Sequence, residues 1–353
     1  MSEELMKEFV VKKCVIGIVS MIILVSAGAA NLSADAIRFA VIGDTQGSGG
    51  PAVSEENLGL IIERINAADP PVQFVLQAGD LINGGKDTDQ QIKDFQRWRE
   101  VVSPWYNNPN FVGLKVYPVP GNHDQKNIAT YLDSWQAVFS DLPDNGPWNE
   151  KKTTYSFDIG QCHFVAVNTS APSWTGFHAV NVAWLANNLT NSTQPVTFVY
   201  GHDPAFPVGR HIGSALDTRP ERRDLFWQIL SENNVKAYFC GHEHVYDHWM
   251  KDNVHQIITG SGGVPAIILN YSIVDVDDEN NVTVSVYEAT TNTLMDQYDL
   301  ADTQNVASED RPGAKDIFYS FLDNFPCLIY GVVLMGFGFV GFSLTSSGTW
   351  NHE

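Results

Sequence analysis

Basic residues are scarce in this chain. Lysines and arginines number 21 against 41 aspartates and glutamates, a formal charge of −20 over 353 residues. Such a surface repels nucleic-acid backbones, which argues against a nucleic-acid polymer as partner. It suits a protein that holds cations, although most of these acids are solvated faces. Cysteines are also few, four in all, at positions 14, 162, 240 and 327. No C-x-x-C pair occurs, so neither a zinc knuckle nor a dithiol redox site is indicated. Cys162 and Cys240 fall inside apolar runs, where a free thiol packs as a small hydrophobe. Internal repeats and low-complexity tracts are absent too. What remains is a globular chain, 44% hydrophobic, long enough for one large α/β domain or two small ones.

Both ends read differently from the middle. Lys7, Lys12 and Lys13 precede an apolar run from Cys14 to Ala27, followed by small residues. That order over residues 1–30 predicts a secretory signal peptide cleaved near Ala27-Gly28-Ala29, with an uncleaved N-terminal anchor as the alternative. Near the other end, Phe325 to Leu344 is uncharged and apolar. As a helix it is about one bilayer thick, which predicts a C-terminal transmembrane helix rather than a buried core helix. The glycines in this run are tolerated in membrane helices. The acidic stretch 301–316 reads as its linker. Together the ends predict an extracytoplasmic protein, membrane-anchored or secreted. Six N-x-[ST] triplets, beginning at Asn31, Asn168, Asn188, Asn191, Asn270 and Asn281, would permit glycosylation.

Residues 36–300 alternate strand and helix patterns. "AIRFAVIG", "VQFVLQAG", "LKVYPVPGN", "CHFVAVN", "VTFVYGH" and "VKAYFCGH" read as strands. "SEENLGLIIERINAAD" places Leu58, Ile61, Ile62 and Ile65 on one helical face, with Ser54 as N-cap. "TDQQIKDFQRWREVV" and "RPERRDLFWQILSENN" also read as helices, the second with Pro220 in its first turn. After Val254 the texture turns β-rich, with a hairpin closing at "DDENN". The pattern predicts one α/β domain with a β-rich second half.

Five stretches share a format: an apolar strand, a glycine or turn, then a ligand-type side chain. They are "VIGDTQ", "LQAGDLIN", "PVPGNHD", "FVYGHDP" and "YFCGHEH". In an open α/β sheet the carboxyl ends of strands converge on one crevice. Asp44, Asp80, Asn122, His202, His242 and His244 can therefore meet in space, with Gln46 and His123 beside them. Carboxylate, amide and imidazole together suit Mn, Fe, Zn or Co rather than calcium. A carboxylate can bridge two ions, and Asp80 is the natural bridge. In an extended "GHEH", His242 and His244 would project to one side about 7 Å apart, with Glu243 pointing away.

In this order, these residues closely resemble the calcineurin-like metallophosphoesterase family, and "HDPAFPVGRH" resembles its purple-acid-phosphatase-like branch. The resemblance implies a four-layer α/β/β/α sandwich with two divalent or trivalent metal ions. It implies Asp44, Asp80 and His244 at the first metal, and Asp80, Asn122, His202 and His242 at the second. It implies His123 as the acid that protonates the leaving oxygen, with Asp124 orienting it. Two positions depart from the pattern. Gln46 stands where much of the family has histidine, and is a weaker metal ligand. Asn83 stands where purple acid phosphatases have their tyrosinate, so their colour and ferric preference are not carried over.

The expected activity is hydrolysis of a small phosphoric ester, with a hydroxide between the metals as nucleophile and His123 as general acid. A phosphomonoester is the first expectation. A phosphodiesterase acting on cyclic nucleotides or lipid head groups is the alternative, and a non-catalytic metal-binding or interaction module is the reading from another class. Arg210 and His211 follow the fourth motif and are candidates for binding the substrate's phosphate. Tyr246 and Trp249 follow the fifth, as pocket lining or as packing.

Overall fold

The computed structural model describes residues 36–125, 131–170, 178–263 and 268–300. The expected signal or anchor (1–30), linker (301–316) and transmembrane helix (325–344) lie outside them. Among the described residues no helix is long and apolar enough to cross a membrane.

Each apolar run that stops at a glycine forms a strand: β1 (Ile37–Ile42), β2 (Phe74–Ala78), β3 (Val116–Val119), β6 (Val196–Tyr200) and β7 (Ala237–Cys240). The remaining strands are β4 (Tyr155–Ile159), β5 (Cys162–Ala166), β8 (Tyr246–Lys251), β9 (Val254–Thr259), β10 (Asn270–Val276), β11 (Val282–Glu288) and β12 (Thr293–Asp299). They build two six-stranded sheets, ordered β12-β11-β10-β1-β2-β3 and β4-β5-β6-β7-β9-β8. β1, β2 and β3 run parallel, as do β5, β6, β7 and β9. Shared direction brings their carboxyl ends to the same edge of each sheet. β10 and β11 form the expected hairpin around 277–281, in antiparallel register from Val276↔Val282 to Asn270↔Glu288.

Side chains alternate faces along a strand, and the second sheet uses both. Phe164, Phe198 and Phe239 join the core shared with the first sheet, whereas Val165, Val199 and Tyr238 join a separate apolar cluster. Between the sheets, Phe39 packs edge-on against Phe164 and Phe198, at 5.2 and 5.3 Å between centroids, and stacks on Phe74 at 5.2 Å. The separate cluster is closed by Leu185 and Leu189 of one helix and by Phe226, Trp227 and Leu230 of another.

The helices are α1 (Glu55–Asn66), α2 (Thr88–Val101), α3 (Ser103–Tyr106), α4 (Tyr131–Val138), α5 (Val182–Asn191) and α6 (Pro220–Glu232). α1 buries the stripe Leu58, Ile61, Ile62 and Ile65 into the main core. Ser54 sits at its N-cap but makes no side-chain capping bond. At α2 the cap is Asp87, whose carboxylate accepts from the Gln90 N–H at 2.9 Å. The architecture is a mixed α/β sandwich of two sheets and their helices. Cys162 and Cys240 are buried thiols outside any disulfide, as their apolar setting predicted.

Candidate metal centre

Four of the expected ligands, Asp44, Asp80, His242 and His244, have positive φ, at 56°, 55°, 72° and 53°. That region is unfavourable for residues with a Cβ, by about 1–3 kcal/mol each, and such strain persists where surrounding contacts over-determine it. Those contacts are visible. The Asp44 N–H donates to Gly79 O, and the Thr45 and Gln46 N–H groups both donate to Asp80 O. Asp44 in turn accepts from the His242 N–H through both carboxylate oxygens, at 3.1 and 2.9 Å. The "GHEH" segment is thus a tight turn and not extended, and Glu243 is buried. Gly121 is required by close approach, because a Cβ there would lie 2.2 Å from Asp80 Oδ1.

Two groups of possible ligands form at this edge. Asp44, Asp80 and His244 make the first, their ligand atoms within 4.8 Å of one another; His202, Asp203 and His242 make the second. Asn122 joins the second through Oδ1, 3.0 Å from His202 Nε2. Asp80 reaches toward it as well, with Oδ2 3.4 Å from the same nitrogen. Asp80 therefore lies between the groups, as a shared ligand must.

Hydrogen bonds fix which nitrogens carry lone pairs. His202 Nδ1 faces Ala78 O at 3.0 Å, and a carbonyl only accepts, so the proton is on Nδ1 and Nε2 is free. His242 Nε2 likewise faces Ser214 O at 3.0 Å, which frees Nδ1. His202 Nε2 and His242 Nδ1 then face each other at 3.2 Å, with Asn122 Oδ1 and Asp80 Oδ2 alongside. Four acceptors converge, and one of them, Asp80 Oδ2, takes a donor from the Gln46 amide at 3.0 Å; a cation, or in its absence a proton on His202, resolves the rest. Burial opposes charge on His202, but the Asp80 carboxylate outweighs it and raises the imidazole well above its usual value. Burial also opposes ionisation of Asp80, and His202, His123 and His242 hold it below the ordinary carboxylate range. The field that draws a proton to His202 would equally draw a metal ion.

At the first group, His244 Nε2 lies 3.4 Å from Asp44 Oδ1. Arg210 Nη2 donates to His244 Nδ1 at 3.0 Å, which places the ring proton on Nε2. Holding a cation through Nε2 would require that proton to leave, and Arg210 would then lose its acceptor on this ring. Gln46 sits beside Asp80, but its Nε2 donates to Asp80 Oδ2 at 3.0 Å while Oε1 is buried without a partner.

His123 is tied to the site twice. Its N–H donates to Asp80 Oδ1 at 2.8 Å, and its Nδ1 faces Asn83 Oδ1 at 2.8 Å. Asp124, expected to orient that ring, has a buried carboxylate that accepts from the Gly121, Leu81 and Ile82 N–H groups, at 2.8, 3.0 and 3.0 Å. Asp124 thus fastens the loops after β2 and β3 together, and Asn83 orients the ring. Burial and the nearby Asp80 push Asp124 up to about 8, against those three donors.

Of the substrate candidates, His211 stacks on His242 with centroids 4.0 Å apart, and Arg210 is exposed beside His244. Tyr246 and Trp249 serve packing. The Tyr246 hydroxyl donates to Asp296 at 2.7 Å, and Trp249 meets Phe206 edge-on at 4.8 Å. The sequence reading missed Asp203, which is fully buried next to His202 and accepts from His178 Nδ1 at 2.8 Å. The only signal was its place after a glycine-histidine pair.

The model of the calcineurin-like phosphoesterase family matches residues 37–246. The chain belongs to that family. It is 24% identical over 191 residues to the glycerophosphodiester phosphodiesterase GpdQ of Enterobacter lignolyticus, covering 52% of this chain but only 60% of that protein. It is 20% identical over 249 residues to tartrate-resistant acid phosphatase type 5 of Oryctolagus cuniculus, covering 64% of this chain and 73% of that one. Its fold is similar to that of purple acid phosphatase PPD1 from Lupinus luteus seeds, with a TM-score of 0.60 at 14% identity over 76% of this chain and 54% of that one. Members of the family use dinuclear metal centres, and the two ligand groups here fit that use.

Proposed function

We propose that this protein is a metal-dependent hydrolase of small phosphoric monoesters. The carrying observation is that His242 Nδ1, Asn122 Oδ1 and Asp80 Oδ2 lie 3.2, 3.0 and 3.4 Å from His202 Nε2, four ligand atoms gathered at one point. Asp80, Asn122, His202 and His242 would hold one ion, and Asp44, Asp80 and His244 the other, drawn from Mn, Fe, Zn or Co. Bound there, the ions would supply charge neutralisation at the phosphoryl oxygens and an acidified water.

The chain's own contribution is proton placement. Asn83 Oδ1 can only accept, so His123 keeps a proton on Nδ1 and does its exchange at Nε2. A ring held this way can pass a proton from Nε2 to a departing alcohol oxygen. Arg210, exposed at the rim, supplies a permanent positive charge for a phosphate oxygen. A monoester has one more charged oxygen than a diester, and this favours the monoester.

The diester reading has the similarity to GpdQ behind it. Assaying metal-supplemented protein with p-nitrophenyl phosphate and bis(p-nitrophenyl) phosphate side by side separates the readings. Faster monoester cleavage is expected. Faster diester cleavage would favour the alternative, and no turnover with any of the four metals would leave a non-catalytic module. The terminal segments favour a place outside the cytosol, tethered by 325–344, which a protease-protection assay on membranes would test.

A further inference from the structure

Glu243 sits between two expected ligands and takes no part in either ligand group. Its side chain is fully buried, a costly place for a carboxylate unless its oxygens are satisfied. They are satisfied by backbone. Oε1 accepts from the Gly209 N–H at 3.0 Å and Oε2 from the His211 N–H at 3.2 Å. These N–H groups belong to the residues on either side of Arg210, so one carboxylate grips the backbone before and after it. The fit leaves no slack, since a Cβ at Gly209 would lie 2.6 Å from Glu243 Oε2. Through the same turn, Glu243 is bonded covalently to His242 and His244. The grip therefore ties the Arg210 loop directly to the metal-binding segment.

We propose that Glu243 is a positioning residue that sets Arg210 at the mouth of the metal centre, where the guanidinium selects the extra charged oxygen of a phosphomonoester over a diester. This rests on the ester-hydrolase reading above. Charge-assisted N–H bonds to a buried carboxylate are strong and short-ranged, so they fix where the Arg210 main chain lies. The head group stays exposed and long enough to meet substrate. Glu243 touches no reacting atom itself.

The test uses the full chain loaded with metal. Glu243→Gln keeps one acceptor and loses the other; Gly209→Ala strains the grip from the opposite side while leaving Glu243 unsubstituted. Both, like Arg210→Ala, should raise KM for p-nitrophenyl phosphate about tenfold and change kcat less than about threefold. Diester kcat/KM should fall clearly less than monoester kcat/KM, so that monoester preference shrinks, and metal content should match wild type. The Glu243→Gln/Arg210→Ala double variant should equal Arg210→Ala alone. Inorganic phosphate binding, measured by calorimetry, should weaken in the same pattern, and this reads the grip even in a chain that turns over neither ester. An unchanged KM and phosphate affinity in Glu243→Gln would overturn the proposal, as would additivity with Arg210→Ala or equal losses on both esters with metal loss. If wild type cleaves no ester but phosphate affinity follows the pattern, the hydrolase reading fails and the grip stands.

Discussion

Asn83 Oδ1 lies 2.8 Å from Nδ1 of His123. The position that carries a tyrosinate in purple acid phosphatases is here given to an amide that holds the proposed acid. Asn83→Ala should lower kcat for the monoester about tenfold while leaving metal content unchanged. Asn83→Asp keeps an acceptor and should recover most of that loss. Steady-state kinetics with metal analysis on both variants checks this, and loss of metal in Asn83→Ala would place the residue in the ligand set instead.

His123→Ala should keep its metals and lose kcat by about 10²–10⁴-fold, the usual worth of a positioned acid. The loss should grow as the leaving alcohol becomes a poorer leaving group. A series of aryl and alkyl phosphates provides the measurement, and a uniform loss across it argues against proton donation by this ring.

Away from the site, His248 Nε2 and His255 Nδ1 share a hydrogen bond of 2.8 Å, and His248 stacks on Tyr298 at 3.7 Å. Burial pushes both imidazoles down to about 4, against the attraction of Asp296 for His248 and helped by His248 and Lys236 for His255. An unfolded histidine titrates near about 6.5. From that pH down to about 4, the unfolded chain takes up protons that the folded chain refuses, so stability falls as pH falls through this window. Thermal melts at pH 7 and 5 should show that decline in wild type and a shallower one in His255→Gln. Parallel slopes would contradict the assignment.

Phe39 joins the sheets through contacts with Phe74, Phe164, Phe198 and Phe239. Phe39→Ala should cost about 3–5 kcal/mol by denaturant titration, the range for a large buried ring. A cost below about 1 kcal/mol would mean that this aromatic layer repacks freely.

Much of the site was legible because each ligand follows a buried strand and a turn, and strands of one direction end at one edge. Asp44, Asp80, Asn122, His202, His242 and His244 were all placed this way. The backbone conformation at those ligands was not legible. Positive φ at Asp44, Asp80, His242 and His244 comes from loop-to-loop bonds such as the His242 N–H to Asp44, made between residues 198 positions apart. Local pattern therefore suggested an extended "GHEH", when the segment is a tight turn that buries Glu243. The loop-fastening bonds of Asp124 were not legible for a related reason, since adjacency to His123 in sequence says nothing about which backbone donors its carboxylate meets. Among the strands, β4, β8 and β12 escaped notice, all of them at sheet edges, and β12 is mostly exposed and polar, so it carries little apolar signal. The helices α4 and α5 were missed as well, being only 8 and 10 residues long with three and two buried positions respectively.

The central claim is that Asp80 joins two ligand groups into one metal centre. Wild type and Asp80→Asn, purified in parallel and analysed for bound metal and p-nitrophenyl phosphate hydrolysis, test it most directly. The account predicts about two ions per chain and turnover in wild type, with reduced metal and no turnover in the variant. Normal metal content and full activity in Asp80→Asn would contradict it.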